Sequence, residues 1–347
     1  MDHATPERWI GIDLHRRRSQ IATLDEDGEI TQQRIATGRE TFAEALGRPD
    51  GTHVAIEATY GWEWLAEMLG GAGFDVHLAH PLRTRAIAAA RVKTDAVDAA
   101  TLAHLLRADL LPEAYVAPPG LRDLRDLLRH RAMLVHMRTS LKNRVHALLA
   151  RQGILPTQSD LFGKAGREFL IALELPDGPR RRLDSLTALI DDLDREVGTA
   201  TREIDARARA DERVTLLCGI RGIGRYTAML VIAEVGDVGR FPTARHLCAW
   251  AGLTPTIRSS DGKARLGHIS RQGSAILRWA LTEAAQKAPS GGGPLRSRYE
   301  RIAKRRGPKV AKVAVARQIL TLCYYGLRDG EIRCLAEQGR EEPAVAA

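Results

Sequence analysis

The first ninety residues place the tightest constraint on what this chain can fold into. Short apolar runs recur there, and two of them end on a carboxylate. Trp9-Ile10-Gly11-Ile12 runs into Asp13, and His53-Val54-Ala55-Ile56 runs into Glu57. Trp9–His15, Ser19–Asp25 and Ile30–Ala36 read as a strand meander, with Asp25-Glu26-Asp27-Gly28 as a hairpin signal. Thr41–Leu46 then reads as a helix, His53–Glu57 as a buried strand, Gly61–Gly70 as a helix and Asp75–Ala79 as a strand.

Three linked strands followed by alternating helix and strand give the order of a ribonuclease-H-like sheet. A doubly wound nucleotide-binding fold would begin strand–helix, and no G-x-G-x-x-G follows the first strand here. Asp95 and Asp98 stand three apart in Lys93-Thr94-Asp95-Ala96-Val97-Asp98, on one face of a helix that Thr94 can cap. Each carboxylate alone fits a turn, a cap or a solvated face. Asp13 and Glu57 at strand ends, with Asp95 and Asp98 stacked on a helix, can instead converge on divalent metal. All-oxygen ligation suits Mg²⁺ or Mn²⁺. Lys and Arg number 52 against 43 Asp and Glu, giving a net charge of +9 that favours a polyanionic partner. Metal held in a basic protein points to nucleic-acid phosphate as substrate.

Other classes are disfavoured. Met1 to Arg8 is polar and the first apolar run is short, so no signal peptide is expected. Val214–Val235 is interrupted by Arg221 and Arg225, so no membrane span is expected and the reading is cytoplasmic. Cys218, Cys248, Cys323 and Cys334 show no C-x-x-C spacing and read as reduced core thiols rather than zinc ligands.

Pro118-Pro119-Gly120 breaks the chain before two long helical runs, Leu121–Ala150 and Leu183 to about Ala206. In the second, Leu183, Leu186, Ile190, Leu193, Val197 and Ile204 step as a heptad seam. The first carries Arg122, Arg125, Arg129 and Arg138, the second several aspartates, which suits an antiparallel coiled-coil hairpin. Its basic face is read as solvated, as a dimer interface or as a contact for structured RNA or DNA. Next, Arg221-Gly222-Ile223-Gly224-Arg225 between two short helices is similar to a helix-hairpin-helix element, whose backbone N–H groups approach phosphate. The alternative is a tight helix–helix turn. From Ala249 to Gly273 the chain reads as a Gly/Ser-rich loop with Arg258, Lys263, Arg265 and Arg271 around Ser259 and Ser260, a phosphate-binding loop. No His–Asp pair is evident to activate a serine there. Arg296–Arg306 reads as a basic loop before a helix, Lys309–Gly326.

Taken in order, these blocks resemble the insertion-sequence transposases of the IS110 class, over nearly the whole chain. The matching segments are Gly11-Ile12-Asp13, Ile56-Glu57-Ala58-Thr59 and Lys93 to Ala99, then Gly222-Ile223-Gly224, Ala251 to Pro255, Ser259-Ser260, Gly267 to Ser270, Leu277-Arg278 and Ala316-Arg317. The resemblance implies an α/β domain like a Holliday-junction resolvase (RuvC-like) over residues 1–118, with Asp13, Glu57, Asp95 and Asp98 as its metal-binding set. It implies a coiled-coil helical hairpin over 119–210, a mostly helical transposase domain over 211–340 and a tail over 341–347. It further implies a serine that attacks DNA, a structured bridge RNA that pairs with donor and target DNA, and assembly as a homo-oligomer, dimer or tetramer. Ser260 matches that serine, with Ser259 as the alternative, because Asp261 intervenes before Gly262 where the family carries glycine directly. Two rival readings stand beside it: a resolvase-like nuclease that uses water, and a non-catalytic nucleic-acid-binding remnant.

Overall fold

A computed structural model describes residues 6–87, 94–260 and 263–332; at 258–260, 263–264 and 266 it describes the backbone alone. The chain divides into two compact units, Met1–Val116 and Ala117–Ala347.

The first unit is built on β1 (Arg8–Asp13), β2 (Arg18–Leu24) and β3 (Ile30–Ala36), then α1 (Arg39–Leu46), β4 (Thr52–Glu57), α2 (Glu63–Gly71), β5 (Asp75–Ala79), α3 (Pro81–Ile87) and α4 (Asp95–Arg107). The sheet order is β3-β2-β1-β4-β5. The meander β1–β2–β3 is antiparallel, whereas β4 and β5 join it in parallel. Strand alternation gives the sheet two different faces. Ile10, Ile12, Val54, Ile56 and Leu78 pack with Phe42 and Leu46 of α1 and Leu65 and Leu69 of α2. The opposite face is small: Gly11, Ala22, Ala55 and Ala79. A Cβ on Gly11 would lie 2.0 Å from the Ala99 carbonyl oxygen, so α4 rests directly on the β1 backbone. Leu102 of α4 fills the space against Ala55 and Ala79.

The second unit opens with α5 (Pro119–Arg151), α6 (Lys164–Ala172) and α7 (Asp177–Arg209). Arg207 meets Asp123, Arg131 donates to Thr201 and Arg138 donates to Asp194, so the two long helices run antiparallel. The expected seam forms the contact: Leu183, Ile190, Val197 and Ile204 are buried. The helix reaches back to Asp177, beyond the expected start at Leu183. There follow α8 (Glu212–Cys218), α9 (Arg225–Val235), α10 (Ala244–Trp250), the hairpin β6 (Pro255–Ser260) and β7 (Lys263–Ile269), and then α11 (Ala275–Ala285), α12 (Gly293–Arg306) and α13 (Pro308–Asp329). Every residue of α9 from Ala228 to Val235 is buried, as expected of a helix apolar all round at the centre of a core. Tyr324 closes that core and donates its hydroxyl to the Phe241 carbonyl, 3.0 Å away.

Two expectations are corrected. The segment read as a loop from Ala249 to Gly273 opens on the last two residues of helix α10 and then forms an antiparallel hairpin. Thr256, Ile257 and Ile269 are β-branched, and Asp261-Gly262 is itself a two-residue hairpin signal in the sequence. Arg296–Arg306 is not a loop but most of α12, opened by Pro294 in its first turn and ended at Gly307. Its arginines are strong helix formers, and high charge hid that propensity. Cys248 and Cys323 are buried thiols and Cys218 is half-buried; Cys334 lies outside the described residues.

Candidate active site

Strand alternation puts Asp13 on the same face as Gly11, and Glu57 on the same face as Ala55. Because Ile12 pairs with Ile56 in the parallel register, the two carboxylates end neighbouring strands side by side. The face they share is the one α4 covers. Thr94 caps α4, its hydroxyl accepting from the Val97 N–H at 3.3 Å, so Asp95 and Asp98 occupy the first turn. Carboxylates are favoured there by the helix dipole. The close seat of α4 on Gly11 brings this first turn to the end of β1. Asp13, Glu57, Asp95 and Asp98 therefore line a single cleft of about 500 Å³.

His15 joins them, and the sequence reading left it as a strand terminus. Its Nε2 lies 3.2 Å from Asp13 Oδ2 and 3.6 Å from Asp95 Oδ1. Arg16 and Tyr60 form the rim, with the guanidinium 4.9 Å from the ring centre. The signal available was position: His15 follows Asp13 by two residues. Asp13 is nearly buried. Burial pushes its carboxyl pKa up, His15 partly offsets this, and Asp95 and Asp98 raise it further. A carboxylate crowded by like charges is a group that a cation relieves. Ligand atoms of Asp13, His15 and Asp95 lie within 4.8 Å of one another, and the four carboxylates make an oxygen-rich donor set suited to Mg²⁺ or Mn²⁺.

In the second unit, Ser259 pairs with Ala264 and Ser260 with Lys263 at the far end of the hairpin, and Arg258 pairs with Arg265. Asp261 and Gly262 lie outside the described residues. The hairpin base is tied down: Ser270 N–H donates to Thr254 O at 2.9 Å, and Arg278 donates to the carbonyl of Gly273 at 3.0 Å and, more tightly, to that of Gln272. Arg271 adopts a left-handed backbone, φ 58°, in that base. Arg265 is exposed on β7.

The remaining basic residues are distributed differently. Gly222, at φ +94°, packs on α11: a Cβ there would come within 2.2 Å of the Ala284 carbonyl oxygen. Arg221 donates to the Ser290 carbonyl at 3.0 Å, bracing that turn. Gly224 and Arg225 are exposed at the start of α9. Arg125 donates to the carbonyls of Ala233 and Glu234, at 2.7 and 3.1 Å, satisfying the end of α9. Arg129 binds the buried Glu234 carboxylate at 3.0 Å, and Arg138 binds Asp194 at 2.5 Å. Arg122 is half-buried. Among these, the arginines of α5 are engaged within the unit.

Carboxylates converging on one cleft of a mixed sheet make a donor set of the kind that can hold a divalent cation. Comparison with known proteins points to one family. Residues 10–153 match a family model described as "Transposase", the DEDD type of IS110, and residues 214–300 match "Transposase IS116/IS110/IS902 family". The chain is 29% identical over 324 residues to "Probable family 20 transposase" of Pseudomonas aeruginosa, covering 88% of this chain and 93% of the relative. It is 27% identical over 280 residues to "Transposase for insertion sequence element IS1111A" of Coxiella burnetii, covering 80% and 76%. It is 28% identical over 280 residues to "Transposase for insertion sequence element IS1328" of Yersinia enterocolitica, covering 80% and 82%. The chain belongs to the IS110-class family of insertion-sequence transposases.

Proposed function

We propose that this chain is a DNA recombinase that moves its insertion sequence by cutting and exchanging strands, with a metal site in one unit and a serine nucleophile in the other. The observation that carries the reading is the convergence of Asp13, Glu57, Asp95 and Asp98 in one cleft. The order β3-β2-β1-β4-β5, antiparallel through the meander and parallel beyond it, supports a ribonuclease-H-like (RuvC-like) first unit. The four carboxylates hold Mg²⁺ or Mn²⁺, which supplies charge neutralisation at the phosphate when bound. Asp13, between strand core and cleft, is the fixed ligand; Asp95 and Asp98 complete the set from α4. Arg16 at the rim attracts the DNA backbone.

Ser260 is the nucleophile. Its Oγ forms a bond to phosphorus as the bond to the departing DNA oxygen breaks, and the serine proton ends on that oxygen, which leaves as a hydroxyl. A hydroxyl of the second DNA strand then displaces Ser260, so the strands are rejoined without loss of the phosphoester. Arg265 and Arg271, with Arg258 and Lys263 on the same hairpin, supply positive charge around this step. Arg225 and the Gly222–Gly224 turn contact DNA backbone. A structured bridge RNA that pairs with donor and target DNA supplies sequence choice, recognised mainly through shape and backbone. The working form is a homo-oligomer, dimer or tetramer. No helix among the described residues is long and apolar enough to cross a membrane.

A second reading has its own support. The carboxylates converge within one unit without help from the hairpin, which is all a water-using nuclease needs. The two readings separate on the product. With a guide RNA from its own element and a nicked DNA substrate that stalls rejoining, the protein is expected to form a denaturation-resistant protein–DNA adduct. Ser260→Ala removes the adduct and Ser259→Ala keeps it. Asp98→Asn abolishes strand exchange while leaving DNA binding largely intact, since binding rests on Lys and Arg contacts to phosphate. Cleavage that survives in the Ser259→Ala/Ser260→Ala double variant selects the water-using nuclease. Wild-type exchange by Asp98→Asn overturns the metal assignment.

A further inference from the structure

The first unit holds a second cluster of ligand-type side chains, on the same sheet face as the acidic cleft but at the opposite ends of the strands. His53 of β4 pairs in register with Asp75 of β5, and His77 stands two residues beyond Asp75, so all three share one face. Glu57 lies four positions beyond His53 on β4, about 13 Å along the strand. His53 Nδ1 lies 2.7 Å from Asp75 Oδ2, and His77 Nε2 lies 2.9 Å from the same oxygen. The three ligand atoms fall within 4.8 Å of one another.

We propose that His53, Asp75 and His77 form a binding site for a transition-metal dication of the Zn²⁺ type, separate from the acidic cleft. Two imidazoles and one carboxylate are a nitrogen-rich donor set, which suits Zn²⁺ and its neighbours rather than Mg²⁺. Both imidazoles are already aimed. His77 Nδ1–H donates to Glu113 Oε1 at 2.6 Å, which turns Nε2 toward the cluster. This carboxylate–histidine pair is the arrangement that orients a metal-bound imidazole. His53 is stacked on Trp9, with ring centres 6.1 Å apart and planes 15° from parallel. Zn–ligand bonds near 2.0–2.1 Å in tetrahedral geometry set ligand atoms about 3.3 Å apart. Each nitrogen–oxygen pair therefore opens by about half an ångström on binding, within reach of side-chain rotation. The side chains remain 24–56% accessible, so an ion can reach them and water can take a fourth position.

Partial burial pulls the His77 pKa down, but hydrogen bonds to Glu113 and Asp75 and their charges raise it overall. Bound metal replaces the proton on Nε2. The ion would clip β4, β5 and the segment at Glu113 together.

The test uses the full chain, stripped with chelator, and Zn²⁺ or Co²⁺ as the probe. Wild type and Asp13→Asn are expected to take up one tightly bound Zn²⁺ against a chromophoric competitor, and to show the visible absorption of four-coordinate Co²⁺. His53→Gln/His77→Gln loses that Zn²⁺ and that absorption. Glu113→Gln keeps the ligands but weakens Zn²⁺ by about 10–100-fold. Should the histidine double variant fail to fold, Asp13→Asn decides: Zn²⁺ must raise its melting temperature by several degrees. Equal Zn²⁺ uptake by wild type and the histidine variant, loss of the Co²⁺ absorption in Asp13→Asn, or no Zn²⁺-dependent rise in melting overturns the site.

Discussion

Asp13 and Glu57 end parallel neighbouring strands whose inner residues are fully buried, whereas Ser259 and Ser260 end a strand whose only sheet partner among the described residues is β7. The first arrangement is fixed from all sides. Sheet register sets the two strand carboxylates, and the seat of α4 on Gly11 sets Asp95 and Asp98. The second is fixed at its base, through Thr254, Ser270 and Arg278. A preorganised acidic cleft can hold a cation before substrate arrives. The preorganised charge of the cleft and the proposed nucleophile thus lie in different units.

This contrast can be broken most severely at Gly11. Gly11→Val puts side-chain atoms into the Ala99 backbone and must lift α4. The expected loss is at the upper end of the about 1–3 kcal/mol typical of overpacking, or above it. Thermal melting reads the loss, and any Mg²⁺-dependent rise in melting should vanish with it. A variant that keeps both stability and that rise would mean that the seat of α4 does not assemble the cleft.

Arg129 tests whether the arginines of α5 serve the fold. Arg129→Met leaves the nearly buried Glu234 carboxylate without its guanidinium. The cost expected is about 1–3 kcal/mol, discounted toward the lower end because Arg129 itself is half exposed. Glu234→Gln should cost less, since Arg129 can turn to water. Denaturant titration gives both values; the reverse ranking would refute the buried-charge account. A fall in RNA affinity with unchanged stability would assign Arg129 to nucleic acid instead.

A smaller, local electrostatic effect is expected at Asp211, which caps α8 and pairs with Arg213 at 2.7 Å. The Arg213 hydrogen bond holds the Asp211 carboxyl below its usual range, although partial burial opposes this. A depressed carboxylate adds stability above the unfolded-state pKa, near 3.9, and loses it as pH falls through the folded value. Asp211→Asn, which still caps, should lower stability by under about 1 kcal/mol at neutral pH. The gap to wild type should close in acid. A gap that persists at pH 2 would mean the cap, not the ion pair, had been lost.

The least effect is expected at Gly267 of β7. A Cβ there meets the Thr256 side chain at 2.4 Å but no backbone closer than 3.6 Å. Gly267→Ala should change melting by no more than about 0.5 kcal/mol, as Thr256 can rotate. A cost rivalling that at Gly11 would show the hairpin to be as tightly seated as α4.

Much of this was legible in the chain itself. Short apolar runs bounded by turn signals gave the strands of the first unit in order, and the heptad seam from Leu183 to Ile204 gave the contact between the long helices. Those signals are strong because burial of a face repeats along the element. Asp13 and Glu57 could be marked because each follows a buried run directly. Cap and turn chemistry is weaker, so α7 begins earlier than its seam and the Asp261-Gly262 signal was masked by the glycines and serines around it. The helix of α12 was hidden by charge, which marks exposure and not conformation.

What the sequence determined was therefore the set of elements and which of their residues face a core. Tertiary structure alone decided which polar groups meet. His15 beside Asp13 and Asp95, Arg129 on Glu234, and His53 with Asp75 and His77 depend on strand register and on how closely α4 rests on β1. Such pairs come from residues far apart in the chain and leave no periodic trace. Their partners are fixed only when packing, worth far more than any one hydrogen bond, has chosen the register.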